Sequence, residues 1–185
     1  MEGSMKKALV IFADGFEEIE AVSAVDILRR LGVAVTTAAL NWKRATGAHG
    51  MEIATDASLG EVCMENFDAV VLPGGMPGAE NLSKDREVCD LLKRSAEKGI
   101  VIAAICAAPF VLAENGILDH KKFTMYPGFD DRLNGLKYAD SPAVGDGNVV
   151  SGKGPGAVFD FMREVAIALG LEKECAELYK SMFVK

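Results

Sequence analysis

Cys106 stands where an apolar run, Ile100 to Ile105, gives way to a stretch that reads as a helix from Ala107 to Asn115. A sharp strand-to-helix turn pushes its central side chain out of the sheet, as in the nucleophile elbow of hydrolases. The small neighbours Ala103, Ala104, Ala107 and Ala108 leave room for such a turn. Amides at the start of a helix favour a thiolate, so a lowered thiol pKa is expected. The alternative reading is a buried structural cysteine.

Two further segments carry chemistry of the same kind. In Glu17-Glu18-Ile19-Glu20, the first two carboxylates suit a helix's first turn and need no role beyond complementing its dipole. Glu20 differs, because helical spacing puts it at the head of an apolar stripe with Ala24, Ile27 and Leu31. Partial desolvation there favours the protonated acid, which can donate to a thiolate and relay a proton. In Leu72-Pro73-Gly74-Gly75, Gly74 and Gly75 follow a buried strand and let the backbone approach a ligand. The amides of Gly75 and Ala107 would then form a two-donor oxyanion hole. An ordinary strand-to-loop turn is the plainer reading. Gly152-Lys153-Gly154-Pro155-Gly156 could hold an anion at a helix start, but it lacks the spacing of a nucleotide loop.

The elements that must position these residues alternate. Lys7 to Phe12 reads as a strand ending at Asp14-Gly15, and Glu17 to Leu31 as a helix closed by Gly32. Val33 to Leu40 is a second strand, and Trp42 to Ile53 an irregular hairpin. Ala69 to Leu72 is a buried strand, Asp85 to Lys98 a helix closed by Gly99, and Ile100 to Ile105 a continuous apolar strand. From Ile117 to Gly147 short strands and loops are expected. Val149 to Ser151 is a strand, a helix opens at Gly154 and runs to Leu169, and Glu172 to Phe183 is the last helix. Apolar strands without polar alternation, separated by helices, indicate an α/β fold with a mostly parallel central sheet covered on both faces. In such sheets ligands bind beyond the carboxyl ends of the strands. Cys106, Glu20, Gly74 and Gly75 all fall there.

Length and composition narrow the options. The 185 residues, half of them apolar, suit a single domain, expected over residues 5–185, and the four residues before Met5 read as a cloning remnant. With 20 Lys plus Arg against 27 Asp plus Glu, the formal charge of -7 disfavours nucleic acid as a partner. No apolar run is long enough to span a membrane, and no signal peptide is evident. Cys63, Cys89, Cys106 and Cys175 are too widely spaced for a CxxC pair or a zinc knuckle, and only His49 and His120 could assist them. No metal site is expected, and a reducing, cytoplasmic compartment fits free thiols. Cys63, Cys89 and Cys175 read as small hydrophobes on packed faces, and both histidines as loop residues.

The segments ALVIFADGFEEIEAV, DAVVLPGGMPGAENL, IAAICAAP and SGKGPGAVFDF, in this order, resemble the DJ/ThiJ/PfpI superfamily, and within it the branch of the Parkinsonism-associated protein and its bacterial relatives. The resemblance spans nearly the whole chain from Lys6. It implies a flavodoxin-like sandwich and a homodimer. It places the family's reactive cysteine on Cys106, its partner glutamate on Glu20 and its oxyanion amides on Gly75 and Ala107. Members with glyoxalase activity often carry a histidine near the cysteine, in a strand followed by proline. Here Tyr126 precedes Pro127 at that point, and a tyrosine is a poor base near neutral pH. Ala107 follows the cysteine where protease-like members have histidine, which disfavours a cysteine peptidase.

The expected activity is therefore that of a glyoxalase or deglycase acting on small reactive carbonyls such as methylglyoxal, or on their adducts, without metal, glutathione or nucleotide cofactor. A different class uses the same geometry. An oxidative-stress sensor or redox-regulated chaperone would hold Cys106 as a sulfinate without turnover. A third reading is an interaction module built on the first helix, whose apolar residues on most sides suggest burial on two sides, one of them in a dimer.

Overall fold

The computed structural model describes residues 5–63 and 66–184, so the four-residue stretch before Met5 lies outside it. Seven strands form one sheet in the order β5(Ala57–Ser58), β2(Ala34–Ala39), β1(Lys7–Phe12), β6(Ala69–Leu72), β7(Val101–Ile105), β9(Val149–Gly152), β8(Ala143–Asp146). Every neighbouring pair is parallel except β8 with β9. A separate antiparallel hairpin joins β3(Arg44–Thr46) to β4(Glu52–Ala54).

The alternation of side chains along each strand feeds two cores. Leu9 and Ile11 of β1, with Ile102 and Ala104 of β7, face α2(Gly78–Lys84), α3(Arg86–Glu97) and α4(Pro109–Glu114). Val10 and Phe12, with Ala103 and Ile105, face α1(Glu18–Arg30), α5(Val158–Ala168) and α6(Glu172–Ser181). All residues of β6 and β7 are buried, which explains why both strands read as unbroken apolar runs. The α/β sandwich expected from the strand and helix pattern is the observed fold. None of the helices among the described residues is long and apolar enough to cross a membrane.

Several boundaries shift for local reasons. Glu17 does not join α1 but caps it, its carboxylate accepting from the Glu20 amide at 2.8 Å. Asp85 caps α3 in the same way through the Val88 amide. The helix expected from Ala107 begins only at Pro109, after a turn through Cys106. The one expected from Gly154 opens as a 3-10 turn over Pro155–Ala157 before α5. α2 was not legible, because it starts at a glycine directly after Pro77. Nor is α1 buried on two sides within the chain. Ala21, Ala24, Ile27 and Leu28 are buried, whereas Ile19 and Val22 are 54% and 44% exposed.

Candidate active site

The chain crosses from the β2 side of β1 to its β6 side, and a crevice opens where parallel strands diverge in this way. The loop after β1 and the loop after β6 pack against each other at that point. The Glu17 amide donates to the Gly74 carbonyl at 2.9 Å, and the Gly78 amide to the Gly15 carbonyl at 3.2 Å. Gly75 has a φ of +91°, and a Cβ there would lie 2.4 Å from the Glu17 nitrogen. Only glycine permits both that backbone and that approach.

Cys106 follows β7 with a φ of 65°, a left-handed conformation that a non-glycine residue adopts at a cost of about 1–3 kcal/mol. Its neighbours hold it there. Its amide donates to the Gly152 carbonyl and its carbonyl accepts from the Tyr126 amide, both at 2.9 Å. The thiol leaves the sheet towards the loops, and the residue is partly exposed. The backbone amides of Ala107 and Gly75 lie near the sulfur and favour its thiolate form.

Glu20 meets the thiol from α1. It is fully buried, and its Oε2 accepts the Gly74 amide at 2.8 Å. Its Oε1 is also buried and has no hydrogen-bond partner among the described residues. An orphaned carboxylate oxygen is costly, and a proton on it removes most of that cost. Burial accordingly pushes the Glu20 carboxyl up to about 7, the charge of Glu17 adding to the effect, while the Gly74 amide and the thiol oppose it. Gly74 is the hinge of this arrangement. A Cβ on it would lie 2.6 Å from the Cβ of Cys106 and 2.8 Å from Glu20 Oε2.

The lowered thiol pKa expected from a helix start does not hold. Burial, and after it the Glu20 charge, push the Cys106 thiol up to about 12, and the Ala107 and Gly75 amides counter this only in part. With α4 starting at Pro109, these two amides replace the helix end as the electropositive partners. The acid's charge thus opposes ionisation of the thiol, and the pair holds two protons below about pH 7 and one above it, on the thiol.

Other residues fall differently from their sequence reading. Glu18 is buried, not merely a complement to the helix dipole. Its Oε1 accepts the His49 amide at 2.7 Å and its Oε2 meets the His49 Nδ1 at 2.8 Å. Burial alone would raise its pKa, but the His49 ring and amide outweigh that and hold it below the usual value. This contact, which no spacing announces, pins the β3–β4 hairpin onto the start of α1. Glu17, Glu18 and His49 also form a group whose ligand atoms lie within 4.8 Å of one another, but both carboxylates are already engaged, with the Glu20 amide and with His49. His120 is exposed in a turn. Cys63 is exposed rather than packed, Cys89 is half-buried, and Cys175 is buried. Among the described residues Tyr126 meets Cys106 through its backbone amide. Its half-exposed ring lies against Gly154, where a Cβ would sit 3.3 Å from Cδ2.

The sequence pattern of the DJ-1/PfpI family matches residues 6–168. The chain belongs to the DJ-1/PfpI family. Protein dj-1beta of Drosophila melanogaster is 41% identical over 182 residues, covering 97% of each chain. Its crystal structure superposes with a TM-score of 0.93 over 98% of this chain and 99% of that one, at 40% identity. The Parkinson disease protein 7 homolog of Danio rerio is 37% identical over 97% of this chain and 98% of its own. A deglycase of Pyrococcus abyssi is 34% identical over 85% of this chain and 96% of its own. This DJ-1/PfpI chain thus has relatives that carry the DJ-1 name and one named for an activity.

Proposed function

We propose that this protein is a cofactor-independent enzyme of the glyoxalase or deglycase type, acting on methylglyoxal-like dicarbonyls or their adducts. The observation that carries the reading is the buried acid with an unpartnered oxygen, set against a partly exposed thiol that two backbone amides address. The name of the Pyrococcus abyssi relative supports it.

The geometry suggests a sequence of steps. Glu20 as carboxylate takes the Cys106 proton while the sulfur attacks the aldehyde carbon, and the carbonyl oxygen becomes an oxyanion held by the Gly75 and Ala107 amides. Glu20 returns the proton to that oxygen, giving a hemithioacetal. It then removes the hydrogen from the same carbon and delivers it to the neighbouring carbonyl carbon, passing through an enediolate in which the hydroxyl proton moves from the first oxygen to the second. The product is a thioester of lactate with Cys106. Water cleaves it, releasing lactate and the thiol. No net oxidation occurs, because one carbon is oxidised as its neighbour is reduced. A carboxyl with a pKa of about 7 suits a group that must both take and give a proton at neutral pH. The test is lactate formation from methylglyoxal by wild type, Cys106→Ala and Glu20→Gln. Turnover in wild type that disappears in Cys106→Ala is expected, and lactate formation unaltered by that change would overturn the mechanism.

The same donors favour a second reading. A sulfinate on Cys106 would be met by the Gly75 and Ala107 amides and by a protonated Glu20. Graded peroxide followed by peptide mass spectrometry separates the two. Selective gain of two oxygens at Cys106 without dicarbonyl turnover supports the sensor. Equal oxidation of Cys106 and the exposed Cys63 counts against it.

A further inference from the structure

A second cleft, of about 430 Å³, opens at the carboxyl ends of β1 and β2, and none of Cys106, Glu20, Gly75 or Tyr126 lines it. Its base is closed by Phe12, Ala39 and Ala45, each no more than 2% exposed, so the surface the cleft presents is mostly polar, with Asp14 and Asp85 among its lining. One wall is the connection from β2 to β3, carrying Trp42 and Arg44, and the other is α2, carrying Asn81 and Lys84.

Most polar groups around this cleft are already committed. Asp14 Oδ1 accepts the Thr46 amide at 2.8 Å, and Asp85 Oδ1 accepts the Val88 amide at 3.0 Å. Lys84 pairs with Glu80 at 3.0 Å. The Asn81 Nδ2 donates to the Asp14 carbonyl at 2.8 Å, which leaves its side-chain oxygen to accept. Trp42 and Arg44 stand apart. Their side chains make no hydrogen bond, ion pair or ring contact among the described residues, and the indole is 74% exposed. An uncovered indole and an unspent guanidinium, two residues apart on one wall of the cleft, are the two parts needed to hold a ring and an anion together. The indole stacks on a planar ring, and the guanidinium forks onto a carboxylate or phosphate.

The geometry points to a second small-molecule site in this cleft, for a planar aromatic ring carrying one anionic group, with the ring on Trp42 and the anion on Arg44. Its place at strand carboxyl ends agrees with where parallel sheets bind ligands. The site does not depend on the chemistry proposed for Cys106.

Trp42 is the sole tryptophan of the chain, so its emission reports directly on occupancy. The full-length protein is titrated with AMP and with benzoate, and in parallel with adenosine and with inorganic phosphate. A saturable change in emission with AMP, benzoate or both is expected, with adenosine and phosphate at least about tenfold weaker. Response to AMP alone assigns the anion as phosphate, and response to benzoate alone as carboxylate. Arg44→Gln should weaken binding about tenfold or more, Arg44→Lys by less, and Cys106→Ala not at all. Because Arg44 is exposed, both Arg44 variants should keep the wild-type melting curve. The inference fails if neither AMP nor benzoate saturates below about 10 mM. It fails equally if adenosine or phosphate alone binds as well, or if Arg44→Gln binds unchanged.

Discussion

Cys106 and Cys175 are both thiols whose pKa burial raises, and the contrast between them isolates what a reactive site needs. Cys175 sits on α6, 1% exposed, packed into the core beside Tyr179. Among the described residues the polar groups acting on it are the Tyr179 hydroxyl and the Arg163 guanidinium, with no carboxyl group or backbone amide set against it. Cys106 is partly exposed, held in a left-handed backbone, and faced by an acid with a free oxygen and by two amides. Burial by itself merely silences a thiol. Burial shared with a second titratable group couples the two protons, so that one group can ionise as the other is neutralised.

The largest effect expected from breaking this contrast is on turnover. Cys106→Ala should abolish lactate formation from methylglyoxal, a loss of at least about a thousandfold, whereas Cys175→Ala should leave the rate within about twofold. Next in size is Gly74→Ala. Its methyl group cannot be accommodated between the Cys106 Cβ and Glu20 Oε2 without moving one of them. A rate loss of about a hundredfold is expected, because misplacing reacting groups by an ångström costs about that much. Cys106 labelling by iodoacetamide should change in the same protein.

Glu20→Gln should lower turnover by a similar factor, about a hundredfold, and it also carries a pH signature. Glu20 is raised from 4.5 to about 7 in the folded protein, so the fold favours its protonated form. The stability this contributes is complete below the unfolded pKa near 4.5 and is lost as pH rises through the folded pKa near 7. Urea denaturation should therefore show Glu20→Gln gaining on wild type between pH 4.5 and pH 7, by about 3 kcal/mol at most. A pH-independent difference would show that the carboxyl is not held protonated. The smallest effect is on the silent thiol. Cys175→Ala removes a buried sulfur and should cost about 1–2 kcal/mol in the same denaturation experiment, with no pH dependence in this range.

A separate expectation concerns assembly. Ile19 and Val22 leave an apolar strip exposed on α1, beside the buried Glu20. A homodimer covering it should appear as a dimer in sedimentation velocity at micromolar concentration, and Val22→Asp should shift it towards monomer. Wild type sedimenting as a monomer would rule that out.

Much of the frame was legible because its signals are local. The apolar runs of β1, β6 and β7 and the glycines that close α1 and α3 need no distant partner to be read. Glu20 was legible as a desolvated acid from its helical stripe, and Gly74 and Gly75 as a site of close approach. What the sequence did not show shares one cause. The burial of Glu18, its pairing with His49 and the cleft under Trp42 all arise between segments far apart in the chain, where periodicity and turn chemistry say nothing.

By itself the sequence determined which residues could do chemistry and that they lie at strand ends, since side-chain type and the two-residue and 3.6-residue periods act within a few residues. Only the tertiary structure decided how those residues behave. It brings Glu20 and Gly74 together across 54 residues and sets both against Cys106. It also reverses the expected direction of the thiol pKa, because desolvation and mutual charge depend on what surrounds a group in space and not on its neighbours along the chain.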